Sequence, residues 1–265
     1  MRVTSLGLRT DVALRVLEGA EVIDRGDHLV VRSLGNPGFW WGNFLLLGAP
    51  PGPGTADGWL ARFAAEFPAA GHVALAVDAA DDSTPVPGDF LAAGLEPQRS
   101  TVLTCTAAGP PPHPNTEAGI RPLESDADWQ QSIDLSVRCF DAGGPAQEPE
   151  EYLKRRVAAR RRLSRAGSGA WFGAFTGGRL LAQLGMLDAG GGFGRYQDVE
   201  TDPAARRRGL AGTLVWHAGR YAREVLGAST LVIVADPAEV AIRVYRACGF
   251  ADRESQLTFE RPPAG

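Results

Sequence analysis

Lysine, cysteine and histidine are scarce in this chain of 265 residues, and each scarcity narrows the kinds of site it can hold. Lys154 is the single lysine among 27 basic residues, which we attribute to coding bias. Cys105, Cys139 and Cys248 lack the short spacings of a disulfide framework or a metal site, so we expect reduced thiols in a cytoplasm. The histidines are scattered and predict no metal site; they are His28, His72, His113 and His217.

Long apolar runs and a strong charge of one sign are also missing. No run is long enough to cross a bilayer, and residues 1–19 have no continuous apolar core of a secretory signal. The net charge of −4 argues against nucleic-acid binding. With 44% hydrophobic and 22% charged residues, the chain is typical of a soluble enzyme with one large or two small cores.

The most informative feature that is present runs from Val199 to Ala218. An alternating strand, Tyr196 to Thr201, leads through Asp202-Pro203 into Arg206-Arg207-Arg208-Gly209-Leu210-Ala211, which opens a helix. Small residues let a ligand approach the backbone, and the first N–H groups of a helix lack internal partners. Arginine adds forked donors for phosphate. This pattern predicts a pyrophosphate site, and a solvated basic face is the alternative.

A second motif follows at a fixed distance. Leu231 to Ala235 is a continuous apolar run typical of a buried strand, and Ala238 to Phe250 predicts a helix closed by Gly249. Tyr245 lies four residues before Gly249-Phe250. With the first motif, this order resembles the GNAT acetyltransferase superfamily, whose Arg/Gln-x-x-Gly-x-Gly/Ala signature is matched by Arg206, Gly209 and Ala211. The resemblance covers about residues 119–261.

The resemblance implies direct transfer of an acetyl group from acetyl-CoA to an amine, without an acyl-enzyme and without a metal. It implies that strands 197–201 and 231–235 splay apart and that the pantetheine arm pairs with the free edge. Tyr245 would protonate the leaving thiolate. The implied cofactor-binding residues are Val199, Glu200, Thr201, Arg206, Arg207, Arg208, Gly209, Leu210, Ala211, Gly212 and Thr213.

The general base is open at this point. Members of the superfamily often carry a Glu or His on the fourth strand. Strand alternation turns Arg195 and Gln197 toward the acceptor, and puts Asp198 and Glu200 on the opposite face unless a bulge intervenes. The Asn that many members carry after strand five is absent from residues 236–239. A direct base at Glu200 and a water relay with Gln197 as polar positioner are both retained as candidates.

The chain is predicted to be a tandem of GNAT-like α/β units with mixed sheets. Residues 107–116 form a proline-rich linker between a degenerate unit, 1–106, and a catalytic unit, 117–265. The first unit repeats the strand–helix order of the second, with His72 to Asp78 as its buried strand. The first unit lacks the residues for cofactor binding and catalysis. The proline-rich segment 50–54 stands in place of the phosphate motif, and Phe90 stands in place of Tyr245.

Further elements are predicted around these motifs. Ser125 to Phe140 predicts a helix with Ser125 as N-cap and Asp128 in a capping-box position. Two glycines at 177–178 predict a hairpin between residues 171–175 and 180–187. A helix from Pro149 to Arg165 carries a basic cluster, interpreted as a solvated face or as the rim of a site for an acidic substrate. The aromatic segment 36–43 is interpreted as packing against the partner unit, with substrate contact as the alternative.

The sequence therefore predicts an acetyl-CoA-dependent N-acetyltransferase in the cytoplasm, a monomer or homodimer with neither nucleic acid nor membrane as partner. Its partners are acetyl-CoA and an amine-bearing acceptor. A longer acyl-CoA donor and a non-catalytic CoA-binding sensor are the alternatives.

Overall fold

The computed structural model describes residues 1–141 and 150–263. By packing, the chain divides into unit 1, Met1–Val102 with Arg253–Gly265, and unit 2, Leu103–Asp252. These bounds do not coincide with the predicted ones. The proline-rich segment 107–116 is part of unit 2, and the last strand of the chain is counted with unit 1. The division of function between the two halves stays a prediction.

Each unit contains both strands and helices. Unit 1 contains α1 (Leu6–Leu17), β1 (Glu21–Asp24), β2 (His28–Arg32), β3 (Asn43–Leu47), α2 (Ala56–Glu66), β4 (Val73–Val77), α3 (Gly88–Ala92) and most of β5 (Glu96–Cys105). Unit 2 contains β6 (Gly119–Pro122), α4 (Asp126–Asp141), α5 (Glu150–Arg165), β7 (Gly169–Thr176), β8 (Arg179–Asp188), β9 (Phe193–Thr201), α6 (Leu210–Glu224), β10 (Thr230–Ala235) and α7 (Ala241–Ala247). The chain ends with β11 (Ala251–Arg261), most of which belongs to unit 1.

The sheet of unit 1 is mixed. Strands β1, β2 and β3 are antiparallel neighbours, β3 pairs with β4 in parallel, and β4 pairs with β11 antiparallel. The β3–β4 pairing continues to the end of both strands, where Leu47 is opposite Val77. Phe90 is fully buried and packs on Phe259 with ring centroids 4.8 Å apart. The side chain predicted to replace Tyr245 is therefore a core residue of unit 1.

The sheet of unit 2 has the same mixed character. Strands β6, β7, β8 and β9 are antiparallel neighbours, and β9 pairs with β10 in parallel. The predicted hairpin is confirmed, since Gly177 and Gly178 turn between β7 and β8 with φ of 57° and 78°. Side chains alternate along β8. Leu184 joins the core that α6 covers, whereas Gln183 bonds to α4, so α4 and α6 lie on opposite faces of this sheet.

Helix α4 begins where the sequence predicts it. The Asp128 N–H donates to Ser125 Oγ at 3.1 Å, and the Ser125 N–H donates back to Asp128 Oδ2 at 3.0 Å. This reciprocal pair is the predicted capping box. Helix α5 begins at Glu150; the predicted start at Pro149 lies outside the described residues.

Candidate active site

Strands β9 and β10 part toward their carboxyl ends. Their paired residues run from Phe193 opposite Thr230 to Arg195 opposite Val232, yet β9 continues to Thr201 and β10 to Ala235. Beyond Arg195, the described part of β9 has no recorded partner on β10. The expected splay is therefore present. It leaves one edge of residues 197–201 free to pair with an extended ligand.

A β-bulge interrupts β9 within this free stretch. Gln183 of β8 is opposite Glu200 and Gly185 is opposite Gln197, so two steps on β8 match three on β9. The extra residue is at Asp198, whose φ is +47°. A bulge inverts the alternation of side chains beyond it. The exception stated with the alternation rule therefore applies, because the bulge returns Glu200 to the face covered by α4, the same face as Gln197.

Glu200 belongs to a polar cluster beneath α4. Its carboxylate accepts hydrogen bonds from Ser136 Oγ at 2.8 Å and from Gln183 Nε2 at 2.5 Å. Gln183 is fully buried, and its Oε1 accepts from Ser132 Oγ at 2.6 Å. Burial raises the pKa of Glu200, and the nearby charge of Arg160 opposes this shift. A carboxylate with raised pKa binds a proton more tightly than an ordinary glutamate, which suits a general base near neutral pH.

The other polar side chains near the bulge have partners within the chain. Gln197 is partly buried, and its Nε2 donates to the Tyr196 carbonyl at 2.9 Å. Asp198 Oδ2 accepts from Arg156 Nη2 at 2.5 Å and from Arg160 Nη2 at 2.6 Å. These two arginines of the basic cluster on α5 thus turn inward, whereas Lys154, Arg155 and Arg162 of the same helix are exposed.

Tyr245 lies on α7 and is buried among the core residues of unit 2. Burial raises the pKa of its phenol well above the ordinary value, so the hydroxyl stays protonated at neutral pH. Among residues 1–141 and 150–263, no hydrogen-bond partner is found for this hydroxyl. It is free to donate its proton to a ligand.

The phosphate motif forms a loop ahead of α6. A short 3₁₀ helix, Pro203–Ala205, is capped by Asp202, which accepts from the Ala204 N–H at 3.0 Å. Helix α6 begins at Leu210, so residues 206–208 precede the helix. The prediction that these residues open the helix is therefore wrong. Arg207 has a φ of +62°, and Gly209 a φ of +75°.

Asp198 and Arg207 are the only described residues other than glycine with positive φ. This conformation costs a non-glycine residue about 1–3 kcal/mol and is found mainly where function requires it. Asp198 lies within the free stretch of β9, and Arg207 lies in the loop that follows this strand. Successive N–H groups in such a loop, followed by a helix N-terminus, form an anion-binding concavity.

The side chains of the loop differ in their partners. Arg206, Arg207 and Arg208 are all exposed, and Arg208 pairs with Glu117 at 2.8 Å. Within the described part of the chain, Arg206 and Arg207 have no hydrogen-bond or ion-pair partner. These two guanidinium groups are therefore available to a phosphate.

The proline-rich segment 107–116 packs onto this loop. The Asn115 N–H donates to Thr213 Oγ1 at 2.8 Å, and Asn115 Nδ2 donates to the Arg208 carbonyl at 2.8 Å. A side chain at Gly209 would clash with the His113 carbonyl oxygen. Glycine at position 209 thus leaves room for the backbone at His113. The motif alone predicted room for a ligand and did not predict this contact.

The remaining predicted cofactor residues offer mainly backbone groups. Leu210, Gly212 and Thr213 are buried, Ala211 is partly exposed, and the first-turn N–H groups of α6 lie at the loop. Val199 packs against the core of unit 2, and Thr201 pairs with Ala182 of β8. Sequence reasoning missed the buried partners of Glu200, which carry no motif of their own.

The predicted aromatic segment of unit 1 has described partners within that unit. The Trp40 ring stacks on His72 with centroids 5.6 Å apart, and Trp41 Nε1 donates to Glu260 at 2.6 Å. Its described contacts therefore include packing within unit 1, and packing against the partner unit stays a prediction.

All three cysteines are free thiols. No helix in residues 1–141 or 150–263 combines the length and apolar character needed to span a membrane. In the same residues, no group of three metal-binding side chains is found.

Comparison with known proteins agrees with this geometry. The model of the Acetyltransferase (GNAT) family matches residues 129–250, from α4 to the residues just after α7. This part of the chain is a GNAT acetyltransferase domain. No curated protein matches the sequence.

Solved structures show the same fold across the whole chain. A functionally unknown conserved protein from Staphylococcus epidermidis has a TM-score of 0.71 at 11% identity, covering 93% of this chain and 95% of its own. A GCN5-related N-acetyltransferase from Kribbella flavida has a TM-score of 0.66 at 17% identity, covering 98% of both chains. A tandem GNAT protein from the clavulanic acid biosynthesis pathway has a TM-score of 0.51 at 13% identity, covering 73% of this chain and 65% of its own. The predicted tandem GNAT-like fold is thereby confirmed.

Proposed function

We propose that unit 2 transfers an acetyl group from acetyl-CoA to an amine acceptor in one step within a ternary complex. The observation that carries the proposal is the gap between β9 and β10. An extended pantetheine arm can pair there with the free backbone edge near Val199 and Thr201. The thioester then lies next to the bulge, within the same unit as Glu200 and Tyr245.

The cofactor is held mainly by backbone and by two arginines. The N–H groups at the start of α6 receive the pyrophosphate, and Arg206 and Arg207 add charge-assisted hydrogen bonds. Their exposure and lack of partners support this role, because binding breaks no existing ion pair. Holding thioester and amine in one cleft makes the attack effectively unimolecular.

The reaction forms a C–N bond and breaks the C–S bond of the thioester. Glu200 accepts the proton of the attacking amine, directly or through a water that Gln197 helps to orient. Tyr245 donates its phenolic proton to the departing sulfur, and the proton taken up by Glu200 leaves to solvent as Tyr245 is reprotonated. The products are an amide and the free thiol of CoA.

Release of CoA thiol from acetyl-CoA, followed over a panel of amines, tests the proposal. Tyr245→Phe should lower kcat by about 10²–10⁴-fold and leave the KM for acetyl-CoA unchanged, because the proton is needed only as the sulfur leaves. Tyr221→Phe is the matched control, since Tyr221 is a partly buried tyrosine of α6 in the same unit.

Three outcomes would contradict the assignment. Full turnover of Tyr245→Phe, with chemistry shown to be rate-limiting, would make Tyr245 a packing residue. Tight binding of acetyl-CoA without thiol release for any amine would favour the sensor function, and release only from longer acyl-CoA donors would change the donor.

A further inference from the structure

The two oxygens of the Glu200 carboxylate have different surroundings. Ser136 Oγ donates to Oε2 at 2.8 Å, and Gln183 Nε2 donates to the same oxygen at 2.5 Å. A carboxylate oxygen has about two lone pairs, so these two donors fill Oε2. Within residues 1–141 and 150–263, Oε1 receives no hydrogen bond, and Glu200 is partly exposed. Oε1 is therefore the oxygen left to take up a proton.

Ser132 determines which end of the Gln183 amide faces Glu200. The Ser132 hydroxyl donates to Gln183 Oε1 at 2.6 Å, and the Ser132 carbonyl accepts from Gln183 Nε2 at 3.2 Å. A flipped amide would place its oxygen against this carbonyl and against the Glu200 carboxylate, which both act as acceptors. The NH₂ group of Gln183 is therefore directed at Glu200.

The residues that bind Oε2 are closed to solvent. Ser132 and Gln183 are fully buried, and Ser136 is 1% exposed. None of the side-chain oxygen and nitrogen atoms of these three residues is without a partner. A buried polar network whose members are all hydrogen-bonded is rigid, because each lost bond would leave an unsatisfied group in a dry environment. The network therefore restricts the positions that the Glu200 carboxylate can adopt.

We infer, building on the proposed function, that Gln183 and Ser136 are positioning residues that hold Glu200 by Oε2 and so present Oε1 to the amine. In the reaction, the amine nitrogen forms the C–N bond and its proton passes to Oε1, directly or through the relay water. Gln183 and Ser136 act through Glu200 and do not contact the amine. Their contribution is the orientation of the base.

Other charged and titratable groups near Glu200 lie on three elements. Burial raises the pKa of Glu200, the charge of Arg160 on α5 lowers it, and that of Asp198 on β9 raises it. Cys139 of α4 is also close, and burial raises the pKa of its thiol to about 11, so this thiol is neutral near pH 7. Removing a hydrogen bond to Oε2 leaves these three groups in place. A change in the pKa of Glu200 then reports the lost bond.

Ser136→Ala and Gln183→Met each remove one donor to Oε2. The lost bond stabilised the charged carboxylate, so kcat/KM, expressed per neutral amine, should rise with pH at a midpoint about one pH unit higher than in wild type. At pH values where Glu200 is deprotonated in every protein, kcat/KM should stay about 10- to 100-fold below wild type, because the base is no longer held in place. The KM for acetyl-CoA should not change.

Ser5→Ala is the matched control. Ser5 is a fully buried serine of unit 1, and its Oγ donates to Glu254 Oε2 at 3.3 Å. This variant should lower the Tm, as the two test variants do, and leave the midpoint and the high-pH value of kcat/KM unchanged. A loss of stability alone therefore does not reproduce the expected result.

The titration of Glu200 gives a readout that needs no turnover. Carbon-13 NMR follows the glutamate side-chain carboxyls, and Glu200→Gln identifies the resonance of Glu200. If no amine releases thiol, a higher titration midpoint in Ser136→Ala still supports the hold on Oε2, and an unchanged midpoint contradicts it. If thiol is released, an unchanged midpoint or an unchanged high-pH kcat/KM in both test variants would overturn the inference and leave acetyl transfer intact.

Discussion

The two side chains that we propose as base and acid have their pKa values shifted by the same cause. Burial raises the pKa of both Glu200 and Tyr245. For Glu200 this strengthens the base, and for Tyr245 it keeps the proton on the oxygen until a thiolate forms. The polar partners Ser136 and Gln183 hold the Glu200 carboxylate in place. The pKa values of the proposed base and the proposed acid are thus both shifted by burial within unit 2.

Glu200→Gln tests the base through its pH dependence. Glu200 acts only when deprotonated, so kcat/KM should rise with pH through its pKa, which burial moves above the ordinary range of glutamate. The variant should lose about 10²–10⁴-fold in kcat/KM, and its kcat/KM should no longer rise with pH through this pKa. Deprotonation of the acceptor amine also makes kcat/KM rise with pH. This rise can be recognised because its midpoint shifts when a different amine is used.

The control is Glu224→Gln, which alters an exposed glutamate at the end of α6 that pairs with Arg220. If Glu200→Gln kept both the wild-type rate and the wild-type pH dependence of kcat/KM, the amine would be deprotonated through the water relay alone.

The elements of unit 2 show which local features the sequence predicts and which depend on tertiary contacts. The capping box at Ser125, the glycine pair of the hairpin and the helix carrying Tyr245 are local patterns, and the structure contains them. The bulge at Asp198 is different. Its extra residue is defined only against the partner strand β8, so alternation alone put Glu200 on the wrong face.

Contacts with residues far apart in the sequence explain two further differences between the predicted and the observed helices. Helix α1 was not predicted; its first N–H groups are bonded by Asp78 and Glu254, remote carboxylates that replace a local capping pattern. The start of α6 is delayed to Leu210 because Arg207 and Gly209 adopt left-handed conformations, with Asn115 bonded across the loop.

The phosphate loop yields a prediction at the scale of one element. Arg206→Ala and Arg207→Ala should each weaken acetyl-CoA binding by about 10-fold, the loss of one charge-assisted hydrogen bond. The melting temperature should not change, because both side chains are exposed and have no partner in the described part of the chain. Calorimetry and thermal melts measure the two effects.

Arg220→Ala is the matched control, as it removes an exposed arginine of α6 that pairs with Glu224. Affinities equal to wild type in both loop variants would show that the pyrophosphate is bound elsewhere.

The two units of the molecule share a run of three strands, a helix, a strand and a helix, and they differ in whether the two parallel strands of this run stay paired to their ends. In unit 1, β3 and β4 stay paired to Leu47 and Val77, and the next N–H, that of Asp78, still donates to the Leu47 carbonyl at 2.8 Å. In unit 2, the corresponding strands stop pairing at Arg195. Unit 1 therefore offers no free strand edge at the place where unit 2 would hold the pantetheine arm.

The last strand shows why sequence order misled the division into units. β11 follows α7 directly, so the sequence assigned it to the catalytic unit. The structure pairs its residues Leu257 to Arg261 with β4 of unit 1. Strand pairing of this kind joins residues far apart in the chain, and an alternating strand pattern fits the edge of either sheet.

The stoichiometry of acetyl-CoA binding tests the central claim, that a single active unit serves the whole chain. Calorimetric titration should give one site per chain, and that site should weaken in the double variant Arg206→Ala/Arg207→Ala while Phe90→Leu in unit 1 leaves its affinity unchanged. Two equivalent sites per chain, or one site indifferent to the loop arginines, would contradict the account, because cofactor would then bind where the strands of unit 1 remain paired.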